Sequence, residues 1–551
     1  MDEERDDAVD EWNERTASSK MERDDDGDQW IQPTDYDLVL LGTGLGQAMV
    51  AAAAAKNGKQ VLHLDREKEY GGHWRSLTAK GLHKWAQRVQ ERHSRPNEGN
   101  EDVQAKEWDV YSDVEIAGDD LELTDREDKD YCIDLAAPKL AYCAGELVQT
   151  LIDSGTCKYV EFKPLEGSYL WTTLKFIRIP ASRAEVFRDK NMPLIHKRML
   201  MKYLQDAMAE HDLQSSVEMG DRGKQRLVDQ LKERGMPEEL QDLLMYGVAL
   251  LTTDERSIPS TSVQDAMLRI KQYVASVGKF GQGQGAFLLA YYGNGDLPQA
   301  FCRTAAVKGA TYILSEAVSE LLFEENEQTQ KQCIGVQLDT GQVLGCKQLV
   351  VSSAAFSEEP SNGQVISRGV CILDGSILPE ESQVLFIFPP NSVPEHESRA
   401  ARAVQVGSSC QVCPRGKYLL YLAIENTVEE RSARSDLEPF VQLLSEGSFN
   451  TTESHDHQRP TVLYAAYYKE NVPDTRSSIL PAGNVASVSP PDATIDFGTV
   501  IQEARASFQK LYPDSQFFVP DAADIIALDD DIEGLVLEQV MEDVHAHRDG
   551  E

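Results

Sequence analysis

The chain has 551 residues, with 54 basic and 92 acidic side chains and a formal net charge of −38. That balance excludes a nucleic-acid binder, which needs a basic footprint, and a polybasic membrane anchor. A hydrophobic content of 41% supports a large core shared among two or three domains.

No run of about 18 apolar residues predicts a transmembrane helix. The acidic opening Met1-Asp2-Glu3-Glu4 lacks the pattern of a signal peptide. Nine scattered cysteines, odd in number and without framework spacing, fit reduced thiols in a cytoplasmic protein. The closing His-Arg-Asp-Gly-Glu carries no cysteine for prenylation.

Residues 1–32 are acidic and poor in apolar side chains, the composition of a disordered segment. Order is expected from Tyr36. The run Tyr36–Leu41 reads as a buried strand, Gly42-Thr43-Gly44 as a tight turn, and Gly46–Lys56 as an Ala-rich helix stopped by Asn57-Gly58. A second strand, Gln60–Leu64, ends at Asp65. This is the order of a Rossmann-type dinucleotide unit. Its glycines admit a pyrophosphate to the helix start, and its acidic residue holds ribose hydroxyls. Gln47, however, takes the third position of G-x-G-x-x-G and places a long side chain where helix and strand should approach closely. Gly42, Gly44 and Asp65 are therefore read as a vestigial motif.

Residues 94–130 are polar and acidic, the pattern of a mobile surface insertion. Apolar sequence resumes at Tyr131–Leu135, with a helix over Ala144–Ile152 and strands at Tyr159–Phe162 and Trp171–Ile179. From 186 to 278 the periodicity becomes helical, through Leu194, Ile195, Met199, Leu200, Leu204 and Met208. Leu227–Arg234 stops at Gly235, Pro237–Leu251 opens with a helix-start signal, and Ser260–Ser262 can cap Val263–Val277. This segment reads as an all-α subdomain inserted into an α/β domain that spans 36–185 and 279–525. Strands follow at Leu349–Val351, Val384–Phe388, Tyr418–Ala423 and Val462–Tyr468, the last three forming a second sheet layer. A helix covers 498–512, and 526–551 is an acidic tail with one apolar patch, Leu535–Val540.

Catalytic signatures are lacking. Asp65 followed by Gly71-Gly72 has flavin-enzyme spacing. His73-Trp74 then stands where such enzymes carry Arg, and Asn484–Gly498 lacks the Gly-Asp or Gly-Glu of a second cofactor contact. No bound FAD or NAD is expected. The pair Cys410 and Cys413, without a second pair or nearby histidines, reads as two free thiols. His455 and His457 read as solvated loop residues, and no metal site is expected.

The block Tyr291-Tyr292-Gly293-Asn294-Gly295-Asp296-Leu297-Pro298-Gln299-Ala300-Phe301-Cys302-Arg303 is distinctive. Together with Gly309–Leu314, Leu41–Leu45 and Tyr70-Gly71-Gly72 it closely resembles the superfamily of Rab GDP-dissociation inhibitors and Rab escort proteins. The resemblance runs from about residue 36 to 525. Within it, Gly71-Gly72-His73-Trp74, Pro180–Phe187, Lys197–Leu204 and the acidic insertion are more similar to the escort branch.

The resemblance implies a non-catalytic protein that binds GDP-bound Rab GTPases and presents them to the Rab geranylgeranyltransferase α/β heterodimer. It would then shelter the geranylgeranyl lipid for transient delivery to a membrane. It places the Rab platform at Tyr70, Asp296, Arg303, Thr311 and Ile313, and a groove for the Rab C-terminus near Leu147, Val148 and Leu151. It places the transferase and lipid side on the helix bearing Met199, Met201 and Tyr203. A recycling inhibitor and an amine-oxidase-like flavin enzyme are the alternatives.

Overall fold

A computed structural model describes residues 21–23 and 29–518, apart from 95–109, 119–122, 173–174, 191, 210–223, 282, 326–330, 357–362, 395–397, 426–430, 447, 450–458 and 474–481. Most of the segment 1–32, His455, His457 and the acidic tail lie outside the described residues.

The strand Asp35–Leu41 is apolar on both faces, as parallel strands covered on both sides must be. It lies between Val61–Asp65 and Val343–Ser352, with Thr311–Leu314 beyond Val61–Asp65, all parallel. Lys331–Leu338 and Val318–Glu325 extend this sheet antiparallel, and Val485–Val488 runs parallel beside the end of Val343–Ser352. The helix Leu45–Lys56 packs against Asp296–Val307 and Gly498–Leu511. Its run of alanines at 51–55 is almost fully enclosed, so small side chains let its neighbours approach. At Gly46 an added Cβ would stand 3.0 Å from Val488, so Gly46 makes the tight helix–strand contact. This corrects the expectation that Gln47 obstructs that contact.

A second, nine-stranded sheet is built from sequence-distant pieces. Its centre is Val384–Phe388, Ala401–Gly407, Tyr418–Glu425 and Gln364–Leu373. Gly167–Trp171 and Lys175–Arg178 extend one side, and Val462–Val472 and Tyr111–Gly118 the other. The last strand falls inside the segment read as a mobile insertion. Its polar Asp113 and Glu115 disguise a strand that pairs with Val462–Val472 and buries Tyr111 completely. The N-terminal reading also needs correction at its end. Ile31 is 2% exposed, and Gln342 holds both its N–H and its carbonyl at 2.9 Å.

The segment expected to be helical contains Leu194–Ala209, Leu227–Glu233, Glu238–Asp242 and Val263–Ser276, and a helix Arg183–Arg188 begins just before it. Ser262 accepts a hydrogen bond from the Asp265 amide at 3.1 Å, the predicted cap. Glu238–Asp242 runs on into a wider π-helical turn, Leu243–Val248, wholly buried between this helical layer and the second sheet. No helix among the described residues is long and apolar enough to cross a membrane.

One buried guanidinium fastens the parts. Arg368, on the central strand Gln364–Leu373, donates to Glu470 Oε2 at 2.5 Å and to the carbonyls of Ala136, Ala137 and Asp492 at 3.1, 3.1 and 3.0 Å. The second sheet is thereby fixed to the loops that precede Lys139 and follow Pro491.

Candidate functional site

Asp65 ends its strand directly beneath the glycine turn. Its Oδ2 accepts from the Thr43 amide at 2.8 Å and the Thr43 hydroxyl at 2.6 Å, and its Oδ1 from the Glu67 amide at 2.8 Å. Burial raises its pKa against these bonds. Thr43 Oγ1 also accepts from the Gly71 amide at 2.9 Å, which pins the Gly71-Gly72 turn onto the first turn. A Cβ at Gly72 would stand 3.6 Å from the Gly44 amide nitrogen, and one at Gly44 would stand 2.7 Å from Gln47 Oε1.

The cradle therefore does not fit a flavin or nicotinamide dinucleotide. Its acidic residue is spent on its own turn, and Gln47 and Gly72 lie over the helix start where a pyrophosphate would need bare amides. His73 and Trp74 are also enclosed. His73 Nδ1 lies 3.0 Å from the Tyr111 hydroxyl, and Trp74 stacks on Phe497 at 5.7 Å.

Beside the sealed turn lies the Tyr291–Arg303 block. Asp134, which the sequence reading missed, organises it. Its carboxylate accepts from the Asn294 amide at 2.9 and 3.0 Å and from the Ser76 hydroxyl at 2.5 Å, and Ser76 Oγ in turn accepts from the Gly295 amide at 3.1 Å. Gly293 has φ +86°, and a Cβ there would meet Asp134 Oδ1 at 2.5 Å, so only glycine fits. This turn launches the helix Asp296–Val307 and sets Asp296 in its first turn, half-exposed.

Arg303 is exposed on the same helix, its guanidinium 4.6 Å from the Tyr159 ring centre. Tyr70 is half-buried and meets Tyr312 edge-on at 5.9 Å. Thr311 and Ile313 are 7% and 8% exposed. They sit on the outermost strand of the sheet, which pairs on one side only, so in the free chain they shape the edge and offer little side-chain surface.

Leu147 and Leu151 are buried and Val148 is half-buried on the helix Glu146–Ser154. All three share one apolar cluster with Tyr70, Tyr159 and Phe301. Just past this helix the Thr156 hydroxyl meets that of Thr304, on the helix Asp296–Val307, at 2.9 Å. Tyr70 of the expected platform thus borders the same cluster as the expected groove, while Ile313 belongs to another.

The helix Leu194–Ala209 belongs to a different apolar cluster. Tyr203 there is 1% exposed and donates to Gln230 Oε1 at 2.8 Å, so of the three residues expected on this helix it is the one turned inward. Leu200, Tyr203 and Ala207 form the inward stripe, and Met199 and Met201 flank it half-buried. The exposed apolar residues are Leu194 and Ile195, at 56% and 65%, with Phe187 and Met208 near them in sequence. All nine cysteines are free, Cys410 and Cys413 among the buried ones, and no group of metal-binding side chains occurs among the described residues.

Such a chain is an α/β protein of the dinucleotide-binding class whose cofactor turn is closed by its own residues. A family model described as GDP dissociation inhibitor matches residues 32–110 and 99–461, and the chain belongs to that family. It is 28% identical to Rab escort protein 1 of Arabidopsis thaliana, over 89% of this chain and 94% of the relative. It is also 28% identical to the Rab proteins geranylgeranyltransferase component A of Drosophila melanogaster, over 93% and 96%. The crystal structure of Rab GDI from Plasmodium falciparum shares its fold with a TM-score of 0.63 at 22% identity, covering 88% of this chain and 99% of that one.

Burial pushes the Asp134 pKa up to about 6, against the Ser76 hydroxyl and the Asn294 and Gly295 amides, which pull it down. A carboxyl raised on folding binds more protons folded than unfolded. Its stabilising contribution is complete below the unfolded value, near 4, and is lost as pH rises through about 6. Asp134→Asn should therefore remove a downward component from the slope of stability against pH over that window, as measured by urea unfolding at stepped pH. An unchanged slope would place the titration elsewhere.

Proposed function

We propose that this chain is a Rab escort protein, the non-catalytic accessory component of Rab geranylgeranyltransferase. It holds a GDP-bound Rab on the face built by Tyr70, Asp296 and Arg303, with Thr311 and Ile313 shaping its edge. The Rab C-terminal tail runs along the helix of Leu147, Val148 and Leu151. The transferase docks on the helical layer, and the geranylgeranylated product stays with the escort until membrane delivery.

The observation that carries this reading is the separation of two surfaces. Tyr70 packs on the cluster under the glycine turn, as does Tyr159 beneath Arg303, whereas Leu194 and Ile195 project from the helix Leu194–Ala209, which packs into another. One molecule can then hold both partners at once. Two relatives named for escort and for component A also align over nearly their whole length. A recycling inhibitor needs only the first surface. A geranylgeranyl chain gains about 0.8 kcal/mol per CH₂ sheltered from water, so the product needs apolar cover. The half-buried Met199 and Met201 are adaptable side chains suited to line it once the helices part.

Arg303→Ala removes an exposed guanidinium able to make charge-assisted bonds to a partner. It should weaken Rab·GDP binding by about 1.5–3 kcal/mol without unfolding the chain, as measured by titration calorimetry. Wild-type affinity in the variant would assign Arg303 a purely internal role on Tyr159.

In a reconstituted assay of Rab, transferase and lipid donor, the chain should be required for lipid transfer. The double variant Leu194→Asp, Ile195→Asp should lose transfer and keep Rab binding. Rab binding by the unaltered chain without any transfer would leave the recycling-inhibitor reading.

A further inference from the structure

Between the two sheets, next to the sealed turn, lies a cavity of about 480 Å³ that neither the platform nor the helical layer uses. Its walls come from Trp74, the start of the helix Gly498–Leu511, and the ends of three strands of the second sheet. The volume falls within the roughly 300–1,000 Å³ of small-molecule sites, and a boundary between layers is where such sites form.

The lining is built and unevenly charged. Lys139 is buried and committed, with Asp492 Oδ1 and the Thr494 carbonyl both at 2.6 Å and the Asp496 carbonyl at 3.1 Å. Burial would raise the Asp492 pKa, but the Lys139 ammonium holds it well below the usual carboxylate range. Glu425 is paired with Arg399 at 3.1 Å. Two carboxylates remain without a cation among the described residues. Asp496 Oδ1 accepts only from the Gly498 amide, at 2.9 Å, and Glu503 accepts from the amide and hydroxyl of Ser489, both at 2.9 Å.

Trp74 supplies a donor to the same lining. Trp74 is 3% exposed and borders the cavity, and its indole N–H donates to no described residue. That N–H is a donor that an oxygen of a guest can take in place of water. Two carboxylates without a cation among the described residues and one unused N–H in the same lining define the complement. A positive nitrogen would meet Asp496 and Glu503, and an oxygen acceptor would meet Trp74. A carboxylate-bearing guest would be repelled.

We propose that this cavity is a binding site for a small organic cation that also carries a hydrogen-bond acceptor, such as an amine or guanidine bearing a carbonyl. The same chemistry is offered by a free metabolite and by a lysine or arginine side chain of a protein. The full chain should be titrated calorimetrically with L-lysinamide and L-argininamide, with a blocked Gly-Lys-Gly peptide, and with hexanamide as the uncharged control.

Saturable one-site binding of a cationic probe is expected. A preference for the amides assigns a free small molecule, and a preference for the peptide assigns a side chain. Asp496→Asn with Glu503→Gln should weaken binding by about tenfold or more. Should that pair fail to fold, Thr499→Arg provides an independent test. It alters an exposed residue at the cavity rim, places a tethered cation beside Asp492 and Asp496, and should abolish probe binding. The proposal is overturned by no saturable binding of any cationic probe, by equal binding of hexanamide, or by affinities that Thr499→Arg leaves unchanged.

Discussion

The carboxylate of Asp65 decides what this molecule can be. In a dinucleotide-binding fold the acid at this position reaches outward to a ribose. Here the Thr43 amide and hydroxyl and the Glu67 amide take up its oxygens, and Thr43 draws in the Gly71 turn. One residue's choice of partner thus closes the pyrophosphate cradle from below while Gln47 covers it from above. The fold keeps the rigidity of its parallel sheet and gives up the chemistry. The adjoining surface, built from the Gly293–Asp296 turn and the helix it launches, is free to serve a protein partner.

That surface must be stiff to be useful, and the stiffness comes from buried polar contacts made across long stretches of chain. Asp134 reaches 160 residues to the Asn294 amide. Arg368 ties the central strand of the second sheet to loops on either side of it, and Lys139 holds Asp492 beneath Trp74. Unpairing any of these would strand a charge in the interior, at a cost of about 3–5 kcal/mol for a buried ion pair broken on one side. The helical layer combines apolar packing and a π-helical turn with ion pairs of its own, Arg234 with Asp206 and Arg256 with Asp242, and it leaves Leu194 and Ile195 in water. The second sheet holds this layer through Arg402, which donates to the Leu250 carbonyl, and Arg399, which donates to the Thr253 hydroxyl.

The difference between local and distant determinants also governs what could be read from the sequence. The strand–turn–helix at 35–56, the cap at Ser262 and the helix Gly498–Leu511 depend on neighbouring residues, so periodicity and capping chemistry reveal them. The Tyr291–Arg303 block was legible as a motif, but its geometry was not, because the group that shapes it, Asp134, is remote and looks like any acidic residue after an apolar pair. Tyr111–Gly118 was hidden because its outward side chains are charged and its partner strand lies some 350 residues onward. The orientation of Tyr203 was not legible because apolar residues recur all round the helix Leu194–Ala209, and only the packed structure shows which stripe turns inward. The large cavity lies where several distant strand ends converge, a place no sequence window contains.

The central claim is that a closed cofactor fold presents its glycine-turn face to a small GTPase while the helical layer stays available. Hydrogen–deuterium exchange of the full chain, with and without GDP-bound Rab, tests it most directly. The account predicts slowed exchange in residues 66–75 and 291–316, with little change across 194–209. Protection confined to the helices of 183–276, with the glycine-turn face unaffected, would contradict it.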